Sequence, residues 1–183
     1  MQQEYSDKEL LRLYREGDNP NYAFGLIVRK YQQRIYWHIR KMVLNHDDTD
    51  DVLQDVFMKV WKNLAKFRED SQLFTWLYRI ATNETLTFLT KKRKKQHVPL
   101  EDMEYQLSNE LEDDEYFNGD EIQQKLQQAL LTLPEKQRLV FNMRYFDELK
   151  YEQMSEILGT SVGALKSSYH YAVQKVEKYL EES

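Results

Sequence analysis

The chain has no cysteine among its 183 residues. That excludes a disulfide framework and any thiolate metal site, and it is compatible with a reducing compartment. Proline and glycine are scarce, at three and five residues. Turns draw heavily on these two, so the balance favours helices over a sheet sandwich. No apolar run approaches the roughly 20 residues of a membrane span. The opening stretch, MQQEYSDKELLRLYREGD, is acidic and has no apolar centre, unlike a signal peptide. Together these absences predict an all-α, cytoplasmic protein without membrane insertion. Enzyme motifs are lacking as well. There is no P-loop, no HExxH and no nucleophile motif, and His38, His46, His97 and His170 are scattered without ligand spacing. No metal, cofactor or catalytic residue is therefore expected, and each histidine reads as a surface or packing residue.

What the chain does have is unevenly distributed charge. Its formal net charge is -5, with 26 Lys and Arg against 31 Asp and Glu. Ten of the acids fall in residues 101–121, which hold no Lys or Arg. The remainder carries 26 basic and 21 acidic residues, a net of +5. An acidic tether is thus separated from surfaces that can meet phosphate.

Periodicity predicts two helical units. Ser6, Asp7, Lys8 and Glu9 form a capping box that opens a short helix to about Glu16. A Gly-Asp-Asn-Pro turn at 17–20 leads into a long helix over about 21–45. Asp47 and Asp48 can cap the next, over about 48–64, with Val52, Val56, Phe57, Val60, Trp61 and Leu64 on its apolar face. A loop at 66–72 precedes a helix from Leu73 that ends in five successive cations, Lys91, Lys92, Arg93, Lys94 and Lys95, before Val98 and Pro99 stop it. Residues 97–120 combine weak periodicity with strong acidity, as a flexible linker would. A second unit begins near residue 120, giving domains at 1–96 and 121–183.

The second unit ends in a helix-turn-helix pattern over residues 151–180. Tyr151, Met154, Ile157 and Leu158 share one face of its first helix. Gly159 suits a left-handed helix end, and Ser161 suits the N-cap of the second helix. In that helix Val162, Leu165, Tyr169, Ala172, Val173, Val176 and Leu180 recur at spacings of three and four. In motifs of this kind the second helix enters the DNA major groove. Its face away from the apolar stripe carries Gly163, Ala164, Lys166, Ser167, His170 and Tyr171, where small residues permit close approach and polar ones can donate to bases or phosphates.

Three strings extend this pattern: DDTDDVLQDVFMKVWKNL at 47–64, FREDSQLFTWLYRIATN at 67–83 and LPEKQRLVFNMRYFDELKYEQMSEILGTSVGALKSSYHYA at 133–172. In this order they resemble the bacterial sigma factors of the extracytoplasmic-function group. The resemblance implies two helical domains that bind core RNA polymerase and promoter DNA, with an anti-sigma factor as a further partner. It implies that Asp51, Gln54 and Asp55 dock on the polymerase. It places Phe67, Arg68, Arg79 and Asn83 at an unpaired base of the minus-10 element, with Lys91, Lys92, Arg93, Lys94 and Lys95 on nearby phosphates. Ser161, Gly163, Ala164, Lys166, Ser167, His170 and Tyr171 would meet the minus-35 element. Family members often carry Arg where this chain has Ser168 and Tyr171, so this face is less basic than usual. From the residues alone, three alternatives stay open. Phe67 can plug the end of a bundle, Arg138 and Arg144 can be either backbone supports or solvated, and the whole can be a duplex-binding regulator or a polymerase-binding antagonist.

Overall fold

A computed structural model describes residues 5–96 and 121–182. Among them the regular elements are all helices: α1 Asp7–Glu16, α2 Pro20–Val43, α3 His46–Leu64, α4 Leu73–Gln96, α5 Glu121–Leu131, α6 Glu135–Tyr145, α7 Tyr151–Leu158 and α8 Val162–Glu182. The expected linker at 97–120 lies outside the described residues, as do Val98 and Pro99.

Local chemistry sets the helix ends. The capping box at Ser6 forms as expected, with the Glu9 amide donating to Ser6 Oγ at 3.3 Å and the Ser6 amide to Glu9 Oε2 at 2.7 Å. Asn19 accepts from the Tyr22 amide at 3.0 Å, and Pro20 stands in the first turn, where its missing N–H costs nothing. The cap of α3 differs from expectation. Asn45, not Asp47 or Asp48, accepts from the Asp48 amide at 2.9 Å, and the two aspartates sit in the first turn facing the positive helix end. The helix before it stops at Val43 because Leu44 turns left-handed, at φ 65°, with its side chain buried.

Helices α1 to α4 pack around Leu10, Ile27, Ile35, Ile39, Val56, Val60, Leu64, Leu77 and Ala81. The aliphatic residues of the α3 stripe are buried as expected, but Trp61 is 39% exposed. Its ring instead lies edge-on against Phe24 and Tyr14, with centroids 4.9 and 6.1 Å away. In the second unit, α5 closes a smaller cluster through Ala129, Leu130, Leu133, Phe141, Ala172 and Val176.

The two units are not separate in this structure. Helix α7 lies against α4, and α6 touches α2. Leu139, Met143, Met154, Ile157 and Leu165 consequently join the core of the first unit. An open groove of about 770 Å³ remains at the junction, lined by Trp37, Lys41, Leu126, Tyr145 and Phe146 among others.

Candidate nucleic-acid and polymerase interface

The helix-turn-helix forms as its sequence dictates. Gly159 takes φ 64°, which costs an L side chain energy but glycine almost nothing, and its amide closes α7 on Ser155 at 2.9 Å. Ser161 Oγ accepts from the Ala164 amide at 3.3 Å and starts α8. Leu165, Ala172 and Val176 are buried, which turns Gly163, Ala164, Lys166, Ser167, His170 and Tyr171 outward together; Ser161 is exposed beside them. A Cβ added at Gly163 would meet nothing within 4 Å, so packing does not require glycine there. Lys166 Nζ rests 5.8 Å from the Tyr151 ring, and Arg144 lies 5.1 Å from the same ring while donating to the Leu149 carbonyl at 3.0 Å. Arg138, for which the sequence left backbone support and a solvated role both open, is only 9% exposed.

On α3, Asp51, Gln54 and Asp55 are all exposed, on the face opposite Val52, Val56 and Val60. Met58 is 50% exposed near them. This surface pairs acidic groups with accessible apolar area.

The face expected to take a single strand differs from the sequence expectation. Phe67 is not an exposed loop aromatic. It is 7% exposed and its ring sits 4.8 Å from that of Trp76. The loop turns back at Glu69, whose φ is 61°, and Arg15 pins it by donating to the Phe67 carbonyl at 2.7 Å and pairing with Glu69. Arg68 and Asn83 are exposed. Arg79 is half-buried because its Nε donates to the Glu156 carbonyl, on α7, at 3.1 Å. The cationic run is also divided. Lys91, Lys94 and Lys95 are exposed, Lys92 pairs with Asp48 at 2.6 Å, and Arg93 pairs with Glu135 of the second unit at 3.2 Å.

One cluster escaped the sequence. His38, fully buried on α2, places Nδ1 2.9 Å from Asp147 Oδ2 and Nε2 2.8 Å from the Thr82 hydroxyl. Lys41 pairs with the other oxygen of Asp147. Arg34 donates to the Asp147 carbonyl at 3.1 Å while its guanidinium covers the Phe74 ring at 4.3 Å. Burial alone would raise the Asp147 carboxyl, but the hydrogen bond and charge of His38, joined by Lys41, outweigh it and hold the group below its ordinary value. Tyr78, whose ring is tilted by 38° against that of His38 with centroids 4.7 Å apart, is pushed upward by burial and by the Asp147 charge. Only the long sequence separation hid this cluster, since a histidine on an apolar helix face reads as packing.

Comparison with known proteins bears on the same segments. Residues 27–95 match the family model Sigma-70 region 2, and residues 123–176 match Sigma-70, region 4. The RNA polymerase sigma-H factor of Pseudomonas aeruginosa is 32% identical over 96% of this chain and 94% of its own length. The ECF RNA polymerase sigma factor SigW of Bacillus subtilis is 30% identical over 94% and 96%. Among solved structures, CnrH in complex with the cytosolic domain of CnrY superposes with a TM-score of 0.71 at 21% identity, covering 97% of this chain and 98% of that one. The sigma factor RpoE bound to the anti-sigma factor NepR from Bartonella quintana gives 0.67 at 21%, covering 86% and 96%.

Proposed function

Because this chain belongs to the extracytoplasmic-function group of the sigma-70 family and is a factor that directs transcription initiation, we propose how its surfaces divide that task. Asp51, Gln54 and Asp55 on α3 dock on core RNA polymerase, where charge complementarity sets partner choice and encounter rate. The first turns of α8 enter the major groove of the minus-35 element. Ser161, Gly163 and Ala164 allow close approach, Lys166 and Ser167 donate, and His170 and Tyr171 flank them. Arg68, Asn83 and the exposed cations Lys91, Lys94 and Lys95 hold the unpaired minus-10 strand, an amide reading a base edge and ammonium groups following phosphates. Arg79, Lys92 and Arg93 join them once released from their present partners, and Phe67 supports the loop from beneath. The protein acts beside polymerase in the cytoplasm without a catalytic step of its own, and an anti-sigma factor restrains it.

The observation that carries this reading is the outward face of α8. Gly163, Ala164, Lys166, Ser167, His170 and Tyr171 stand exposed together there, and glycine at 163 is unneeded by the fold. The test is transcription in vitro with purified core polymerase and genomic DNA, with start sites mapped. Discrete starts that share minus-10 and minus-35 sequences are expected. No promoter-dependent product with any template overturns the reading.

A further inference from the structure

Asp147 is the only buried carboxylate among the described residues. It stands in the turn between α6 and α7, yet every side chain bonded to it belongs to the first unit: His38 and Lys41 on its carboxylate, Arg34 on its carbonyl. Through His38 the contact continues to Thr82 on α4. The turn is held in shape to make this insertion. The Asp147 amide donates to Asn142 at 3.1 Å, and Glu148 accepts a left-handed φ of 54°, a conformation unfavourable for a non-glycine residue. Two weaker ties accompany it, Arg79 to the Glu156 carbonyl and Arg93 to Glu135. Both arginines lie on the helix read above as the minus-10 surface.

The closed arrangement conflicts geometrically with promoter contact. Positions −35 and −10 are about 25 base pairs apart, roughly 85 Å along B-DNA at ~3.4 Å per pair. A chain of 183 residues packed as one body has a radius of gyration of about 16 Å and is roughly 40 Å across. It cannot reach both elements until the units part. A buried ion pair suits a contact that must release. Its attraction is largely offset by lost hydration, so it fixes one arrangement without a large gain in stability. When the units separate, water reclaims the carboxylate and the ammonium.

We propose that Asp147 is an interdomain latch, seated in a notch of His38, Lys41 and Arg34, that keeps the helix-turn-helix folded over α4 and holds the free factor in a state unable to span a promoter. The latch rests on its own contacts; only its consequence at promoters rests on the function proposed above.

The test uses the full chain, whose lack of cysteine allows clean labelling. Spin labels at Gln32→Cys and Lys178→Cys, both exposed positions, report the distance between α2 and α8 by pulsed electron resonance. The parent should give one short distance. Asp147→Asn, which keeps the shape and removes the charge, should transfer a substantial share of molecules to long, broad distances, a shift of roughly tenfold in the open-to-closed ratio for loss of a charge-assisted hydrogen bond. Arg34→Gln, at the edge of the notch, should shift the ratio in the same direction by less. Helical content by circular dichroism separates opening from unfolding, and Arg34→Gln decides the matter if Asp147→Asn melts. Parent-like short distances in both folded variants would overturn the latch. Because the readout needs neither polymerase nor DNA, it stands or fails independently of the promoter reading.

Discussion

The Phe67 ring lies over the indole of Trp76, with centroids 4.8 Å apart and planes tilted by 33°. It closes the end of the bundle below the loop at 66–72, whose Lys66, Arg68, Glu69, Asp70 and Gln72 are exposed. Truncation should therefore act first on stability. Phe67→Ala is expected to cost about 3–5 kcal/mol, the usual range for emptying a buried aromatic site, while Phe67→Leu should retain much of that. Urea unfolding measures both. A loss below about 1 kcal/mol for Phe67→Ala would mean that the ring leaves its site readily, and would return it to the surface that takes an unpaired base.

The α3 face offers a cleaner separation of folding from binding. Asp51→Arg and Asp55→Arg change exposed side chains, so the melting temperature should stay close to that of the parent. Affinity for core polymerase should drop by about 2–5 kcal/mol if either carboxylate is buried and paired on docking. Competition against unlabelled factor gives the number. Parent-level affinity in both variants would move the docking surface elsewhere, with Met58 and Trp61 the next residues to change.

Gly163 should show stability and function pulling apart. Glycine in a helix is about 0.5–1 kcal/mol less favourable than alanine, and nothing stands within 4 Å of the added methyl. Gly163→Ala should thus fold equally well or slightly better, yet bind duplex minus-35 DNA more weakly because the backbone can no longer approach as closely. Thermal melts and fluorescence anisotropy on one preparation compare the two effects. Improved stability with unchanged DNA binding would remove this turn of α8 from the groove.

Acid should weaken the contact at Asp147 in a defined window. Its carboxyl is held below the ordinary value, so its contribution is fully present above the unfolded-state value of about 3.9 and is lost as pH falls through the lower folded-state value. The groups facing it are His38 and Lys41, with Arg34 on its carbonyl and Tyr78 behind the imidazole. The stability gap between the parent and Asp147→Asn should therefore not close as pH falls to about 4 and should narrow below that. A gap that already closes between pH 7 and 5 would contradict a depressed carboxylate.

Local chemistry was the legible part of this protein. Ser6 and Ser161 cap helices, Gly159 ends α7, and the α8 stripe is buried at Leu165, Ala172 and Val176, all from signals within a few residues of sequence. Asn45 displaced Asp47 as a cap because the helix starts two residues earlier, at His46, a shift that a run of equally good capping residues does not resolve. The candidate α3 and α8 faces were legible too, since a polar face opposite an apolar stripe must be exposed. The harder cases depend on contacts between distant segments. Phe67 and Arg79 looked available because nothing nearby in sequence covers them; Trp76 and the Glu156 carbonyl do. His38 and Asp147 are 109 positions apart, and no periodicity relates them.

The groove between the units has an optical consequence. Trp37 lines it, half-buried, beside Lys41 and within reach of Leu126 and Phe146 across the junction. The other two tryptophans belong wholly to the first unit, Trp76 beneath Phe67 and Trp61 against Phe24. Parting the units would hydrate one indole and leave two in place. The protein thus carries its own fluorophore at the hinge, and with Trp61 and Trp76 replaced by phenylalanine its emission colour would follow separation in real time without any added dye.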